Sequence, residues 1–485
     1  MSHDIAQSNS EKQQDAELSA AKRALLNKYR KGTAVRRTQT QDVIPAHDPD
    51  QAVPLSFGQQ QLWLLDQLLP GVPTYTECAT VYLPGLLNVS ALQQALDELV
   101  QRHEAWRTNF VVENDEPVQK VNPPFSVPFS YQDVRSLPES EREQEAVRLA
   151  AQNAQEPFDL ANGPLLRALL FQLDEQEHRL FIVLHHIIFD GVSLYQIFLP
   201  ELYTLYTTFE KGETTSPLAP LPLQYADFAA WQRRTFSQQE IERQLSYWKT
   251  QLQDAPTQLN LPVDHPRPTR LHNPTNRGAA YNFTFSRDLT EELRALSQRE
   301  GVSLYTVLVS AFQTLLYRYT GQNDMLTGFV SDGRTQPSLR PLLGYFLNTL
   351  VLRAKVSDSL TFRELLRQTR DTMLEAIAHQ DVPFEYLVKE LHPERIPGQN
   401  PLIQTSVSLV PPPPTYESGW TVTQMDVSTR SAKFDVAIEL DDRPEGLTGR
   451  YEYSTDLFEA STIERMVHHW QHILESVVQD TTQPL

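Results

Sequence analysis

From Leu55 onward, segments whose apolar residues recur every three or four positions alternate with short runs rich in Val, Ile, Leu and Phe. That alternation leaves few folds open, because a helix with one apolar stripe must lie on something and the intervening strands supply it. Leu92, Ala95, Leu96, Leu99 and Val100 form one stripe; Leu304, Val307, Leu308, Ala311, Phe312, Leu315, Leu316 and Tyr319 form another, closed by Gly321. Each is predicted to pack on a sheet, in α/β or α+β layering. Between them, residues 213–224 (ETTSPLAPLPLQ) and 254–277 are rich in Pro and turn formers, as segments crossing between lobes would be. A chain of 485 residues then divides into two lobes of about 200 residues each. Pro411–Pro414 reads as a stiff extended connector, with a PxxP ligand as the second reading.

Charge and cysteine usage exclude several functions. The formal net charge of −19 repels a phosphate backbone, so nucleic acid is not expected as a partner. A lone Cys78 rules out an intramolecular disulfide and a cysteine zinc site. Its apolar setting reads as a buried small hydrophobe, and a cytoplasmic protein is expected. Residues 1–16 lack the apolar centre of a signal peptide, and no 18-residue apolar run occurs. No membrane association is expected, and the sequon at Asn88 carries no meaning for glycosylation.

Residues 1–50 stand apart as a polar start, a short helical pattern and a linker (IPAHDPDQAVP). In LSAAKRALLNKYRKG, Ser19 suits an N-cap, Ala21, Leu25, Leu26 and Tyr29 share a face, and Gly32 suits the stop, predicting a helix at about 19–31. Residues 34–44 alternate loosely and could form a hairpin. Lys22, Arg23, Lys28, Arg30, Lys31, Arg36 and Arg37 occur here with no acid among them, against an acidic body.

The sharpest chemical feature is LFIVLHHIIFDGVS, residues 180–193. Leu180 to Leu184 read as a buried strand, and alternation sends His185 and His186 to opposite faces at its end. Asp190 and Gly191 follow; glycine permits a backbone geometry or a close approach that a Cβ would block. Ser193 and Gln196 suit a capping box for the next helix. Imidazole titrates near neutrality and can take a proton from an attacking amine or hydroxyl, as acyl transfer requires. The alternative is a histidine pair that only satisfies backbone groups at a strand end. His468, His469 and His472 also cluster, but on a terminal helix with no such turn, and read as a solvated helix face with no metal site expected.

HHIIFDG resembles the HHxxxDG motif of nonribosomal peptide synthetase condensation domains, relatives of chloramphenicol acetyltransferase. PLSFGQQQLWLLDQL (54–68), RHEAWRTNF (102–110), YADFAAWQRR (225–234), GYFLNTLVLR (344–353), HQDVPFEYLV (379–388) and KFDVAIEL (433–440) are similar to further motifs of that family, in its order. Gln61, Trp106 and Val192 depart from the usual Arg, small aliphatic and Trp, which leaves donor or acceptor preference open.

The resemblance implies an α/β fold of two chloramphenicol-acetyltransferase-like lobes in a V-shaped pseudo-dimer with a central tunnel. The lobes are expected at 54–235 and 236–485, with a docking appendage at 1–50. It implies that His186 is the catalytic base or positioner of the nucleophile, with His185 and Asp190 structural. Asp190 should be ion-paired with an arginine, for which Arg334 is the candidate, since an unpaired buried carboxylate is costly. Gly191 would give the thioester room. Asn348 and Gln404 are expected beside the tunnel, with surface or capping amides as the alternative. No bound cofactor is implied: substrates arrive on the phosphopantetheine of carrier proteins. The chain has no adenylation or carrier motif and so reads as free-standing and monomeric. The donor carrier would come in trans, held through an acidic C-terminal tail by a 19–31 helix similar to that of β-hairpin docking domains; a simple linker is the alternative. The product would be an amide or ester, with the acceptor on a second carrier or free. Chain release onto a small amine or alcohol, and a catalytically silent recruitment module, are the competing functions.

Overall fold

A computed structural model describes residues 43–48, 51–268, 276–394, 396, 398–410 and 415–485. The expected helix at 19–31, the hairpin at 34–44, the seven basic residues between Lys22 and Arg37 and the tetraproline lie wholly or almost wholly outside these residues.

The first lobe starts with β1 (Val53–Pro54) and α1 (Phe57–Leu68), the latter opened by a capping box between Ser56 and Gln59. There follow β2 (Thr76–Pro84), α2 (Val89–Arg102), β3 (Thr108–Glu113), β4 (Glu116–Val121), β5 (Phe129–Asp133) and α3 (Glu139–Ala154). The lobe continues with β6 (Leu166–Asp174), β7 (Glu177–His185), α4 (Leu199–Glu210) and α5 (Tyr225–Thr235). The second lobe holds α6 (Gln238–Gln251), β8 (Gly278–Thr284), α7 (Arg287–Glu300), α8 (Leu304–Thr320), β9 (Asp324–Ser331) and β10 (Asn348–Lys355). Then come α9 (Phe362–Ala378), α10 (Phe384–Leu391), β11 (Thr405–Val410), β12 (Thr421–Thr423), β13 (Val436–Arg443), β14 (Gly446–Ser454) and α11 (Ala460–Gln479).

Two sheets organise the molecule: β12-β2-β7-β6-β5 in the first lobe and β10-β9-β11-β13-β14-β8 in the second. The predicted stripe of α2 is buried in the first core. The stripe of α8 is buried too, except for the half-buried Leu304 and Tyr319 at its ends, but so are Thr306, Val309, Ser310, Gln313 and Thr314 on its other sides, because α7, α9 and α11 all pack against this helix. Gln313 tolerates this by accepting a hydrogen bond from Thr369 on α9 at 3.0 Å. Gly321 ends α8 with φ +65°, a left-handed position that favours glycine.

Two local expectations change. Residues 43–48, read as running into the linker, dock on the body: Ile44 is buried beside Phe228, and His47 bonds Asp227 at 2.7 Å through both its amide and Nδ1. The second lobe also returns a strand to the first, since β12 pairs with β2 in the register Thr421↔Tyr82.

Candidate active site

β7 delivers the two histidines as its alternation requires. Leu180 to Leu184 are at most 1% exposed, and the strand ends at His185, after which His186–Ile188 form one 3₁₀ turn. His185 points into protein. Its Nδ1 accepts from the Ile187 amide at 3.2 Å and its ring meets Phe158 edge-on. Burial, with His186 adjacent, pushes its pKa down to about 3, so it stays neutral.

His186 faces a cavity of about 2920 Å³ lined by both lobes. Its amide donates to Tyr75 O at 2.7 Å, and Phe189 stacks on the ring while Tyr345 meets it edge-on. Nδ1 lies 3.0 Å from Phe189 O. A carbonyl oxygen only accepts, so Nδ1 carries the proton and Nε2 presents its lone pair. Burial and the nearby Lys433 ammonium hold the pKa below its ordinary value, which keeps the ring neutral and ready to take a proton.

Asp190 has no exposed surface and does not face substrate space. Arg334 grips it with two bonds, Nη1 to Oδ2 at 2.6 Å and Nη2 to Oδ1 at 3.0 Å. The Ser193 amide donates to Oδ1 at 2.8 Å and the Phe346 amide to Oδ2 at 3.1 Å. Arg334 also lies over the Phe346 ring and donates to Leu342 O. Asp190 and Ser193 belong to the first lobe, and Arg334, Gly344 and Phe346 to the second, so this buried clasp joins the lobes behind His186. A buried charge pair is tolerable when every lone pair is met in this way.

The cap expected of Ser193 belongs to Asp190. The Leu194 amide bonds Asp190 O and the Ser193 amide bonds the Asp190 side chain, so the helical path starts at Gly191 and passes through a π-helical turn over Ser193–Phe198. The Ser193 hydroxyl instead accepts from the Gly344 amide at 3.2 Å, inside the clasp. Gly191 lines the cavity and a Cβ there would meet nothing within 4 Å. Its backbone is not left-handed, so what the glycine leaves is open space.

Asn348 and Gln404 do not line the cavity. Asn348 Nδ2 donates to Gln380 O and Val382 O at 2.7 and 2.8 Å. The Gln404 side chain accepts from the Leu259 amide at 3.0 Å and donates to Asn400 O at 2.8 Å. Both amides tie backbone segments together, the capping alternative. Of the three departures, Gln61 and Val192 line the cavity, whereas Trp106 is core, 2% exposed against Phe198. His468 and His469 lie on the exposed face of α11, where His469 bonds Tyr319 OH.

Several cavity groups were not singled out from the sequence. Glu77 on β2 is ion-paired with Lys433 across the lobes. Tyr345, Glu439, Arg450 and Glu452 complete the walls. The motifs GYFLNTLVLR and KFDVAIEL contain Tyr345, Lys433 and Glu439, and that was the available signal.

Two sheets of related topology, meeting at a cavity with the neutral His186 on its wall, define a chloramphenicol-acetyltransferase-like two-lobed fold. The condensation-domain model matches residues 50–485, and the chain belongs to that family. It is 42% identical over 437 residues to a linear gramicidin synthase of Brevibacillus parabrevis, covering 88% of this chain and 6% of that one. It is 39% identical over 443 residues to the phosphinothricin tripeptide synthetase PhsC of Streptomyces viridochromogenes, covering 89% of this chain and 40% of that one. The chain thus spans less than half the length of either relative. Among solved structures, the SgcC5 protein of Streptomyces globisporus superposes with a TM-score of 0.74 at 25% identity over 89% of this chain and 100% of that one. The first condensation domain of the calcium-dependent antibiotic synthetase shares the fold, with a TM-score of 0.79 at 21% identity over 90% and 98% of the two chains. The X-domain from teicoplanin biosynthesis shares it too, with a TM-score of 0.78 at 24% identity over 91% and 98%. Among the described residues no helix is long and apolar enough to cross a membrane.

Proposed function

We propose that this chain joins an acyl thioester, held on the phosphopantetheine of an upstream carrier protein, to the amine or hydroxyl of an acceptor. The nucleophile attacks the thioester carbonyl carbon, the new C–N or C–O bond forms as the C–S bond breaks, and the nucleophile's proton passes to His186 Nε2. The departing carrier thiolate takes a proton in turn. A thioester is already activated, so positioning and base assistance suffice without a covalent acyl-enzyme. No bound cofactor or metal enters this scheme. The observation that carries the reading is the neutral His186, pinned through Nδ1 with Nε2 free, on the wall of a cavity shared by both lobes.

Intact-mass measurement of an acyl-loaded carrier mixed with this protein and candidate acceptors tests it. Product should form with the wild type and fall by at least about 100-fold in His186→Ala, with the melting temperature nearly unchanged. Full turnover by that variant sinks the assignment. The same assay separates a carrier-bound acceptor from release onto a free amine or alcohol. A wild type that binds loaded carrier yet makes no product with any acceptor returns the recruitment-module reading.

Lys22, Arg23, Lys28, Arg30, Lys31, Arg36 and Arg37 support a second part of the proposal, capture of the carrier's acidic tail. Deleting residues 1–42 should then lower the rate at low carrier concentration, excess carrier should restore it, and salt should bring the wild type toward the deletion. Identical kinetics across the salt titration would make the segment a linker.

A further inference from the structure

The second sheet turns a polar face to the cavity. On β13, Val436, Ile438 and Leu440 enter the core, while Ala437 and Glu439 stand between them. Opposite Glu439 are Arg450 on β14 and Ser408 on β11, and all three line the cavity.

The charges on this wall do not balance. Lys433 is taken by Glu77, and Arg450 by Glu452 at 3.4 Å and Gln424 O at 3.0 Å. Three carboxylates thus face two cations, and the Glu439 carboxyl has no hydrogen bond or ion pair among the described residues. Burial, with Glu77 and Asp441 adding repulsion, pushes its pKa to about 7 despite the pull of Arg450 and Lys433. Buried polar groups ordinarily have partners, and a carboxylate gains most from a charged donor. The charges felt at His186 are chiefly Lys433, Glu77 and Asp190. The Glu77–Lys433 pair bears on both sites, while Glu439 itself sits on β13 of the second lobe and His186 after β7 of the first.

We propose that Glu439 is a specificity-determining residue that receives a protonated amino or guanidino group on the side chain of a substrate. The proposal rests on the condensation reading only in naming the ligand as a substrate.

Calorimetric binding of two unreactive pantetheine thioethers, one bearing a lysine and one a norleucine side chain, tests it on the full chain. At pH 8 the wild type and His186→Ala should both prefer the lysine probe by about tenfold or more, the scale of one charge-assisted bond. Glu439→Gln should bind the two within about twofold. The wild-type preference should fall between pH 8 and pH 6 as Glu439 takes up a proton. Equal wild-type affinities at pH 8, a full preference kept by Glu439→Gln, or no binding of either probe would each overturn the proposal. A preference that holds while the wild type makes no product with any acceptor leaves the Glu439 site standing and removes the condensation reading.

Discussion

The strand series β5-β6-β7-β2 in the first lobe and β11-β13-β14-β8 in the second follow one plan. A parallel pair comes first, then two antiparallel pairings, and β2 and β8 each lead into a helix, as do β7 and β14. The lobes part ways after the first strand of each series. Beyond β5 the chain makes α3, which covers one sheet face with Ala146, Ala150 and Ala154 against Cys78, Phe181 and Val183. Beyond β11 it instead travels to the other lobe and adds β12 there, so the corresponding face of the second sheet stays open and polar. The turns differ as well. Behind β7 stand His186 and the sealed Asp190; behind β14, Leu457 and Phe458 sink into the core while Asp456 pairs with Arg277, whose side chain is 69% exposed. One frame therefore yields a site only where a covering helix is missing and a turn is spared from packing.

The largest effect that could break this comparison concerns the two acids. Arg334→Ala should cost about 3–5 kcal/mol in urea unfolding, because it leaves Asp190 charged and buried without its partner. Arg277→Ala, which removes the partner of Asp456 at the corresponding turn of the second lobe, should cost less than about 1 kcal/mol, since the guanidinium stands mostly in water. Equal losses would mean that the buried clasp is no more structural than a surface pair.

Next in size is the seam pair Glu77–Lys433. Lys433, with Arg450 adding to it, overcomes the cost of burial and holds the Glu77 carboxyl down at about 2, against an ordinary 4.5. A folded-state pKa below the unfolded one gives stability that is complete above about pH 4.5 and drains as pH falls toward 2. Across that window the wild type should lose roughly 3 kcal/mol attributable to this group, and Glu77→Gln should flatten that part of the stability profile. An unchanged profile in the variant would remove Glu77 as a link between the lobes.

The contrast between the lobes also shows what could be read in advance. Periodicity marks the stripes of α2 and α8, and strand alternation alone separates His185 from His186, because both signals are local. Arg334 could be named for Asp190 only through the family resemblance. Asn348 and Gln404 were misplaced because what an amide bonds is settled by backbone far along the chain, Val382 and Leu259 in these cases. The cap passed from Ser193 to Asp190 because both types cap well, and only the Arg334 contact decides between them. The crossing of β12 and the open sheet it leaves behind are relations between segments more than 300 residues apart, for which the local pattern holds no trace.

The smallest effect probes the spared turn itself. Gly191 has ordinary backbone angles at the start of a helix, so Gly191→Ala removes conformational freedom from the unfolded chain without straining the folded one. It should raise stability by about 0.4–1 kcal/mol. The added methyl projects into space with no atom within 4 Å, in the cavity that His186 also lines. If that space is where the thioester sits, the more stable variant should be the slower one, with product formation lowered and His186 unaltered. Thermal melting and intact-mass turnover on the same preparation read the two signs together. A variant both more stable and equally fast would show that the room beside His186 is surplus, and that the turn after β7 is distinguished by its histidine and its clasp but not by its glycine.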